Sequence, residues 1–282
     1  MKEIYLINCS NKAELDQAKV LAVSLRHFDK SRPVYIAGPK ELEKQYPNFI
    51  TFGYESEGNY THDYFTALIE SDFDRAIYFT PWQICQYFDP AVWEPLRNLT
   101  PIVGLNIKKM YNESIIDPSV YFEDKVNIAT LNTTFNNSAI YVDNTKNAKK
   151  IIGSCIDLAA SYSLDEVNQV VEKLLEENKE VALLDNFPDS VWPSWVLSLY
   201  SIVYEDLFFK YDFVNNIDLS RQECANNEQW RTSKWNHFLR YHVDNDGILR
   251  IENFVQKGLV TYRDPSWLSD DNIVKLLKID GI

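Results

Sequence analysis

Two carboxylates, Asp185 and Asp189, stand in a stretch interrupted by Pro188 and Pro193 that also carries Trp192 and Trp195. Prolines at that spacing predict a loop from Asn186 to Trp195. Carboxylates accept hydrogen bonds from hydroxyls, and aromatic rings line ligand pockets, so the composition suits a polyhydroxylated, sugar-like ligand. A carboxylate in such a loop also has the chemistry of a general base. The competing reading is a solvated loop whose indoles pack into the core.

A second candidate is the run Asp74-Arg75-Ala76-Ile77-Tyr78-Phe79-Thr80-Pro81-Trp82. Ala76 to Phe79 are apolar or aromatic, which predicts a strand covered on both faces. Pro81 has no N–H to give a sheet, so the strand is expected to end at Thr80. Open α/β sheets bind ligands outside the carboxyl ends of their strands, which makes Thr80 and Trp82 candidate ligand-contacting residues. The three residues at that end offer one hydroxyl and no carboxylate.

Other potential ligands are scattered. His237 and His242 flank Phe238-Leu239-Arg240-Tyr241, and an isolated histidine most often makes an ordinary hydrogen bond. Cys9, Cys85, Cys155 and Cys224 form no CxxC pair and no zinc spacing, so free thiols in a reducing cytoplasm are expected. A net charge of −13 disfavours nucleic acid and anionic membrane as partners. The apolar run Ile4 to Ile7 is too short for the core of a signal peptide, and no run reaches the length of a membrane span. The expected location is cytoplasmic. Aromatic residues are abundant, with 17 Tyr, 15 Phe and 7 Trp, enough either for an aromatic core or for rings that line a groove.

The elements that must position these groups follow a βα alternation. A strand at Glu3–Cys9 leads through Ser10-Asn11 into a helix with apolar residues at Leu15, Ala18, Leu21, Ala22, Leu25 and Phe28. Asn11 with Glu14 resembles a capping box. Strands are predicted at 33–37 and 49–52, helices at 41–45 and 62–71, and then the strand that ends at Thr80. This βαβαβαβ order predicts parallel pairing with right-handed crossovers. Beyond it the pattern predicts a short helix from Asp89-Pro90 to Leu96 and a strand at 101–107. A polar turn is expected at 132–137, followed by a strand at 139–142 and a helix at 146–161. Ser163 and Glu166 open a further helix, 196–205 is helix or strand, and Asp244-Asn245-Asp246-Gly247 marks a hairpin.

Two segments in order resemble the nucleotide-sugar glycosyltransferases of GT-A fold, most closely family eight, the glycogenin and galactosyltransferase-like group. That family has a stretch of the type D-R-V-I-Y-L-D-x-D-x-L-V, and Asp74 to Phe79 match its first six positions with two conservative changes. A later family stretch of the type F-N-S-G-V-M-L-I-N is followed loosely by Phe135-Asn136-Asn137-Ser138-Ala139-Ile140-Tyr141-Val142-Asp143. The resemblance implies a GT-A-like (Rossmann-like) α/β fold. Its central sheet is expected to be mixed, mostly parallel and flanked by helices, with a C-terminal extension. It implies a nucleotide-sugar-binding-like core at 1–150 and a helical, loop-rich acceptor-side region at 151–282. It further implies a nucleotide-sugar donor and an acceptor whose identity stays open.

By motif position the resemblance places Asn136 beside the donor sugar, with the adjacent Asn137 as a further substrate-binding candidate, where the bland alternative is a turn-forming Asn before a strand. It places Asn8, Ser10 and Asn11 at the strand end that holds nucleobase and ribose, although helix capping also accounts for Asn11. The family's metal-binding D-x-D falls on Thr80, Pro81 and Trp82. Mn²⁺ or Mg²⁺ needs oxygen ligands, which the family supplies as carboxylates. The other D-x-D triplets, Asp72-Phe73-Asp74 and Asp244-Asn245-Asp246, lie elsewhere. No cofactor is therefore expected from the residues themselves, while Mn²⁺ or Mg²⁺ is what the resemblance implies. Three readings remain open: transfer of a sugar with a changed or absent metal site, a catalytically inactive transferase fold used for binding, and a fold of similar βα pattern with no link to sugar nucleotides. Lys108, Lys109, Arg240 and Arg250 are the cations available to replace a metal beside a diphosphate.

Overall fold

Ile4, Tyr5, Leu6 and Ile7 are all fully buried, as an apolar run without alternation must be when both faces of its strand are covered. They belong to β1 (Glu3–Asn8), which pairs in parallel with β2 (Val34–Pro39) across α1 (Lys12–Phe28). The computed structural model describes residues 1–106, 135–160, 192–218, 241–243, 249–251, 254–255 and 258–261. The chain continues through α2 (Lys40–Gln45), β3 (Phe52–Tyr54), α3 (Tyr60–Glu70) and β4 (Arg75–Phe79). After β4 come β5 (Gln83–Cys85), a short 3-10 turn, α4 (Trp93–Leu96) and β6 (Ile102–Asn106). Next are β7 (Phe135–Asp143), α5 (Lys146–Ala160), α6 (Trp192–Val203) and β8 (Phe208–Lys210). The last described strands are β9 (Asn216–Asp218), β10 (Tyr241–Val243), β11 (Leu249–Ile251), β12 (Phe254–Val255) and β13 (Leu259–Thr261).

The central sheet is mixed, mostly parallel and flanked by helices, with strand order β3-β2-β1-β4-β7-β6-β8. β7 runs antiparallel to β6, and β8 runs parallel to it. The N–H groups of Asp74 and Arg75 both donate to the Lys2 carbonyl, so β4 starts beside the start of β1.

Two compact units are distinguishable. One comprises Met1–Lys2, Tyr54–Ile77 and Leu96–Asp212. In it α5 buries Ala148, Ile151, Ile152, Cys155 and Ala159, one stripe at helical spacing, and packs on α3 and α6. The other comprises Glu3–Gly53, Tyr78–Pro95 and Phe213–Ile282. In it α1 buries Leu15, Ala18, Leu21, Ala22 and Leu25 and packs on β5. Each of those leucines contributes about 2 kcal/mol through burial. The Ser24 hydroxyl donates to the Leu21 carbonyl and accepts from the Cys85 N–H at 3.0 Å, which fastens α1 to β5. β5 pairs with β13, which also pairs with β9. β10 and β11, which flank the hairpin turn expected at Asp244–Gly247, pair antiparallel, and the turn itself lies outside the described residues.

Three local expectations are corrected. The third strand is not at 49–52: the N–H groups of Phe49 and Ile50 donate to the Tyr46 carbonyl and make a turn, so the strand begins at Phe52. The polar turn expected up to Asn137 ends earlier, because Phe135 and Asn136 already pair with β6 and sheet pairing overrides the turn preference of Asn. Trp192 to Trp195 are helical rather than loop. Pro193 is the second residue of α6, where its missing N–H has no intrahelical partner to lose. The helix expected from Ser163 lies outside the described residues.

Candidate functional site

Asn8 ends β1 and is buried. Ser10 and Asn11 follow at the mouth of α1. The Asn11 side-chain oxygen accepts from the Glu14 N–H at 3.0 Å, and the Glu14 carboxylate accepts from the Ser10 N–H at 2.7 Å. The reciprocal bond of the expected capping box thus reaches one residue beyond the cap. It satisfies two amide donors at the helix start. Asn11 is exposed, and Ser10 is half-buried with its hydroxyl turned inward.

β4 lies next to β1 in the sheet and brings Thr80 to the same side as Asn8. Thr80 is 1% exposed, and its hydroxyl accepts from the Gln83 side-chain amide at 2.7 Å. Gln83 is fully buried, and Trp82 is 8% exposed. The strand end is therefore closed by an interlocked amide and hydroxyl beside a buried indole. Gln83 was not singled out in the sequence, where it stands at the head of a largely apolar run. Its one signal is its spacing, three residues after Thr80 and directly after Trp82.

This donor set does not fit a hard divalent cation. Such ions take six or more oxygen ligands, preferably carboxylates. Here the single hydroxyl is already in a hydrogen bond, and Pro81 and Trp82 carry no oxygen in their side chains. Among the described residues no group of three His, Cys, Asp or Glu is placed to hold a metal. Cys9, Cys85 and Cys155 are free and buried, and burial pushes their thiols well above the ordinary range. They are inert thiols that serve as core residues.

Asn136 and Asn137 belong to β7 in the other unit, and Asn136 stands opposite Leu105. The register between β6 and β7 shifts between Gly104 and Leu105, next to that pair, so the ladder is irregular where Asn136 enters it. β8 ends at Lys210, opposite Gly104. Burial lowers the Lys210 ammonium to about 8, so part of its population is neutral in mild alkali. Asp185, Asp189, Lys108, Lys109, His237 and Arg240 lie outside the described residues.

In the Tyr54–Ile77 part of the first unit, titratable groups gather at the start of α3. Asn59 caps the helix through Thr61 N–H and His62 N–H. Asp63, 2% exposed, accepts from the Ser56 hydroxyl at 2.5 Å. Burial raises the Asp63 carboxyl despite the opposing bonds from Ser56 and His62. Among the described residues no helix is long and apolar enough to cross a membrane.

The chain matches no protein-family model and no curated protein. Among solved structures it is similar to the apo form of the glycosyltransferase GlyE of Streptococcus pneumoniae TIGR4, at 12% identity and a TM-score of 0.47. That match covers 100% of this chain and 61% of GlyE, so the chain spans about three-fifths of that protein's length. It is also similar to the galactosyltransferase LgtC in complex with donor and acceptor sugar analogues, at 11% identity and a TM-score of 0.45, over 99% of this chain and 97% of that one. Mouse xyloside xylosyltransferase 1 in its apo form is similar at 11% identity and a TM-score of 0.46, over 93% of this chain and 98% of that one.

Proposed function

We propose that this chain is a glycosyltransferase-like protein that takes a nucleotide-sugar donor without the divalent cation used by the family it resembles. The observation that carries the reading is the closed end of β4, where Thr80 is bonded to Gln83 in the place of the metal motif. The resemblance of Asp74–Phe79 and Phe135–Asp143 to the two family-eight stretches supports the donor class. In this reading Asn8, Ser10 and Asn11 face the nucleotide, Asn136 and Asn137 face the sugar, and residues 151–282 form the acceptor side. Transfer breaks the bond between the sugar's anomeric carbon and the diphosphate oxygen and forms one to an acceptor hydroxyl. The hydroxyl proton passes to a carboxylate, for which we propose Asp185 or Asp189, and lysine or arginine meets the charge on the leaving diphosphate.

The test is a thermal shift with and without metal. UDP at a hundred times its Kd is expected to add about 2.7 kcal/mol of stability, and adding Mn²⁺ is expected to raise the melting temperature no further. A large additional shift with Mn²⁺ contradicts the metal-free site. If a panel of nucleotides and nucleotide-sugars gives neither a shift nor donor hydrolysis, the transferase reading fails.

A second reading is favoured by the burial of Trp82 at the strand end: a transferase fold without turnover, used to bind a glycan or a protein. Asn136→Ala separates the two. Loss of turnover at an unchanged melting temperature supports the transferase. A wild-type protein that binds glycan or nucleotide and never turns over a donor supports the binding protein.

A further inference from the structure

Among the described residues β8 is the edge strand of the central sheet, paired in parallel with β6. Its side chains alternate. Phe208 is buried, whereas Phe209 is 45% exposed and Tyr211, two residues on, is 40% exposed. The Tyr211 N–H donates to the Gly104 carbonyl at 3.0 Å, so the pairing runs one residue past Lys210 and puts both rings on one face. On that face Phe209 stands in one cross-strand row with Val103 and Tyr141, and both of these are fully buried. The cover of the sheet therefore stops short of β8. Exposed carboxylates stand at both ends of the strand, Glu205 and Asp206 before it and Asp212 after it.

We propose that Phe209 and Tyr211 form a stacking platform for a neutral oligosaccharide, which serves as the acceptor subsite of the transferase. The acceptor role rests on the proposed transferase function; the binding itself does not. Aromatic faces are electron-rich and attract the C–H bonds of a sugar ring, and carboxylates beside them accept from its hydroxyls. Positions two residues apart on a strand are about 7 Å apart, so one chain of sugars can lie over both rings. The same residues argue against other occupants. Protein interfaces concentrate aromatic residues but are depleted of Asp and Glu, which here border the rings on both sides. A second copy packed on the same face would bring its own Glu205, Asp206 and Asp212 against these, between two chains that each carry a net charge of −13. An edge strand of three residues also offers little backbone to a partner strand. The position fits an acceptor. Asn136, proposed to face the donor sugar, pairs with Leu105, and Lys210 pairs with the neighbouring Gly104. The end of β8 thus lies across β6 from Asn136, about 10 Å away at the usual strand spacing.

Titration of the full chain with lactose, maltotriose, cellotriose and xylotriose, followed by NMR, tests this. At least one of these sugars is expected to bind. Phe209→Ala and Tyr211→Ala are each expected to weaken that binding about tenfold, whereas Tyr211→Phe, which keeps the ring, binds as the wild type does. Both side chains are exposed, so the melting temperatures of the variants are expected to stay at the wild-type value, which separates lost stacking from unfolding. The thermal shift with UDP, measured in parallel, reports on the donor reading alone. If it is absent while a sugar still binds at Phe209 and Tyr211, the transferase reading fails and the platform stands. No binding by any of the sugars, or equal affinity in the wild type and both alanine variants, overturns the platform. So does self-association of the wild type, seen by sedimentation velocity, that either alanine variant abolishes, because the face then belongs to a second copy.

Discussion

Asp29→Ala is expected to lower the free energy of unfolding by about 4 kcal/mol, read from a fall in the urea midpoint at unchanged slope. Asp29 is 3% exposed and stands directly after α1. One carboxylate oxygen accepts from the Tyr5 hydroxyl at 2.6 Å and from Arg32 at 2.8 Å. The other accepts from the N–H and hydroxyl of Ser31 at 2.8 and 2.5 Å. Arg32 is shared with Glu3 and lies over the Trp93 ring, and the Trp93 indole N–H donates to the Tyr5 oxygen at 3.0 Å. Truncation leaves a buried phenol donor without its acceptor and removes one of two carboxylates from a partly buried guanidinium.

The same network gives a pH signature. Burial opposes ionisation of Asp29, but donation from Ser31, Tyr5 and Arg32 prevails and holds its carboxyl at about 2. A carboxyl depressed in the folded state contributes stability above its unfolded pKa and loses it as pH falls through the folded value. Asp29 therefore contributes about 2 kcal/mol above pH 4, which disappears between about pH 4 and 2. Asp29→Asn is expected to flatten that limb of the stability profile. An equally steep acid limb in the variant counts against the assignment.

Gly258→Ala is expected to cost about 3 kcal/mol, with Gly58→Ala as its control at about 1 kcal/mol. Both glycines have positive φ, +126° at Gly258 and +77° at Gly58. They differ in space: a Cβ at Gly258 would sit 2.3 Å from the Asn215 carbonyl oxygen, whereas Gly58 has nothing within 4 Å. The Gly258 carbonyl accepts from Gln86 N–H at 2.8 Å, and the next N–H, at Leu259, donates to Asn215 at 2.7 Å. Gly258 is thus the point at which β13 enters between β5 and β9, and a shift there disturbs both pairings. Equal losses in the two variants, measured by chemical denaturation, would show that the close approach carries no energy of its own.

Short-range features were legible in the residues. The apolar run of β1, the buried run that ends β4 at a proline, and the stripes of α1 and α5 all follow from periodicity within one element. So does the Asn11 cap, because its donor and acceptor are three residues apart. Phe49 misled because it is apolar yet 48% exposed, with the Lys19 ammonium 3.9 Å from its ring centre. Local β-propensity counts its hydrophobicity and cannot see the turn at Tyr46 or the cation above it. The start of α6 misled because proline was read as a loop former, and its tolerance in a first turn depends on where the helix begins.

The strand that leads into Thr80 shows the division most clearly. Its residues alone determined that it is buried, where it stops, and that no carboxylate waits at its end. Only the folded chain decided that Thr80 turns inward onto Gln83 and that Trp82 is buried with them, because side-chain burial is set by neighbours that chain distance does not predict. The same holds for the Tyr5, Asp29, Arg32 and Trp93 network, whose members span 88 positions between Tyr5 and Trp93. A residue's type fixes what it can donate or accept. Which partner it meets is a property of the packed sheet and helices, where a buried polar group is retained only if a partner from another part of the chain satisfies it.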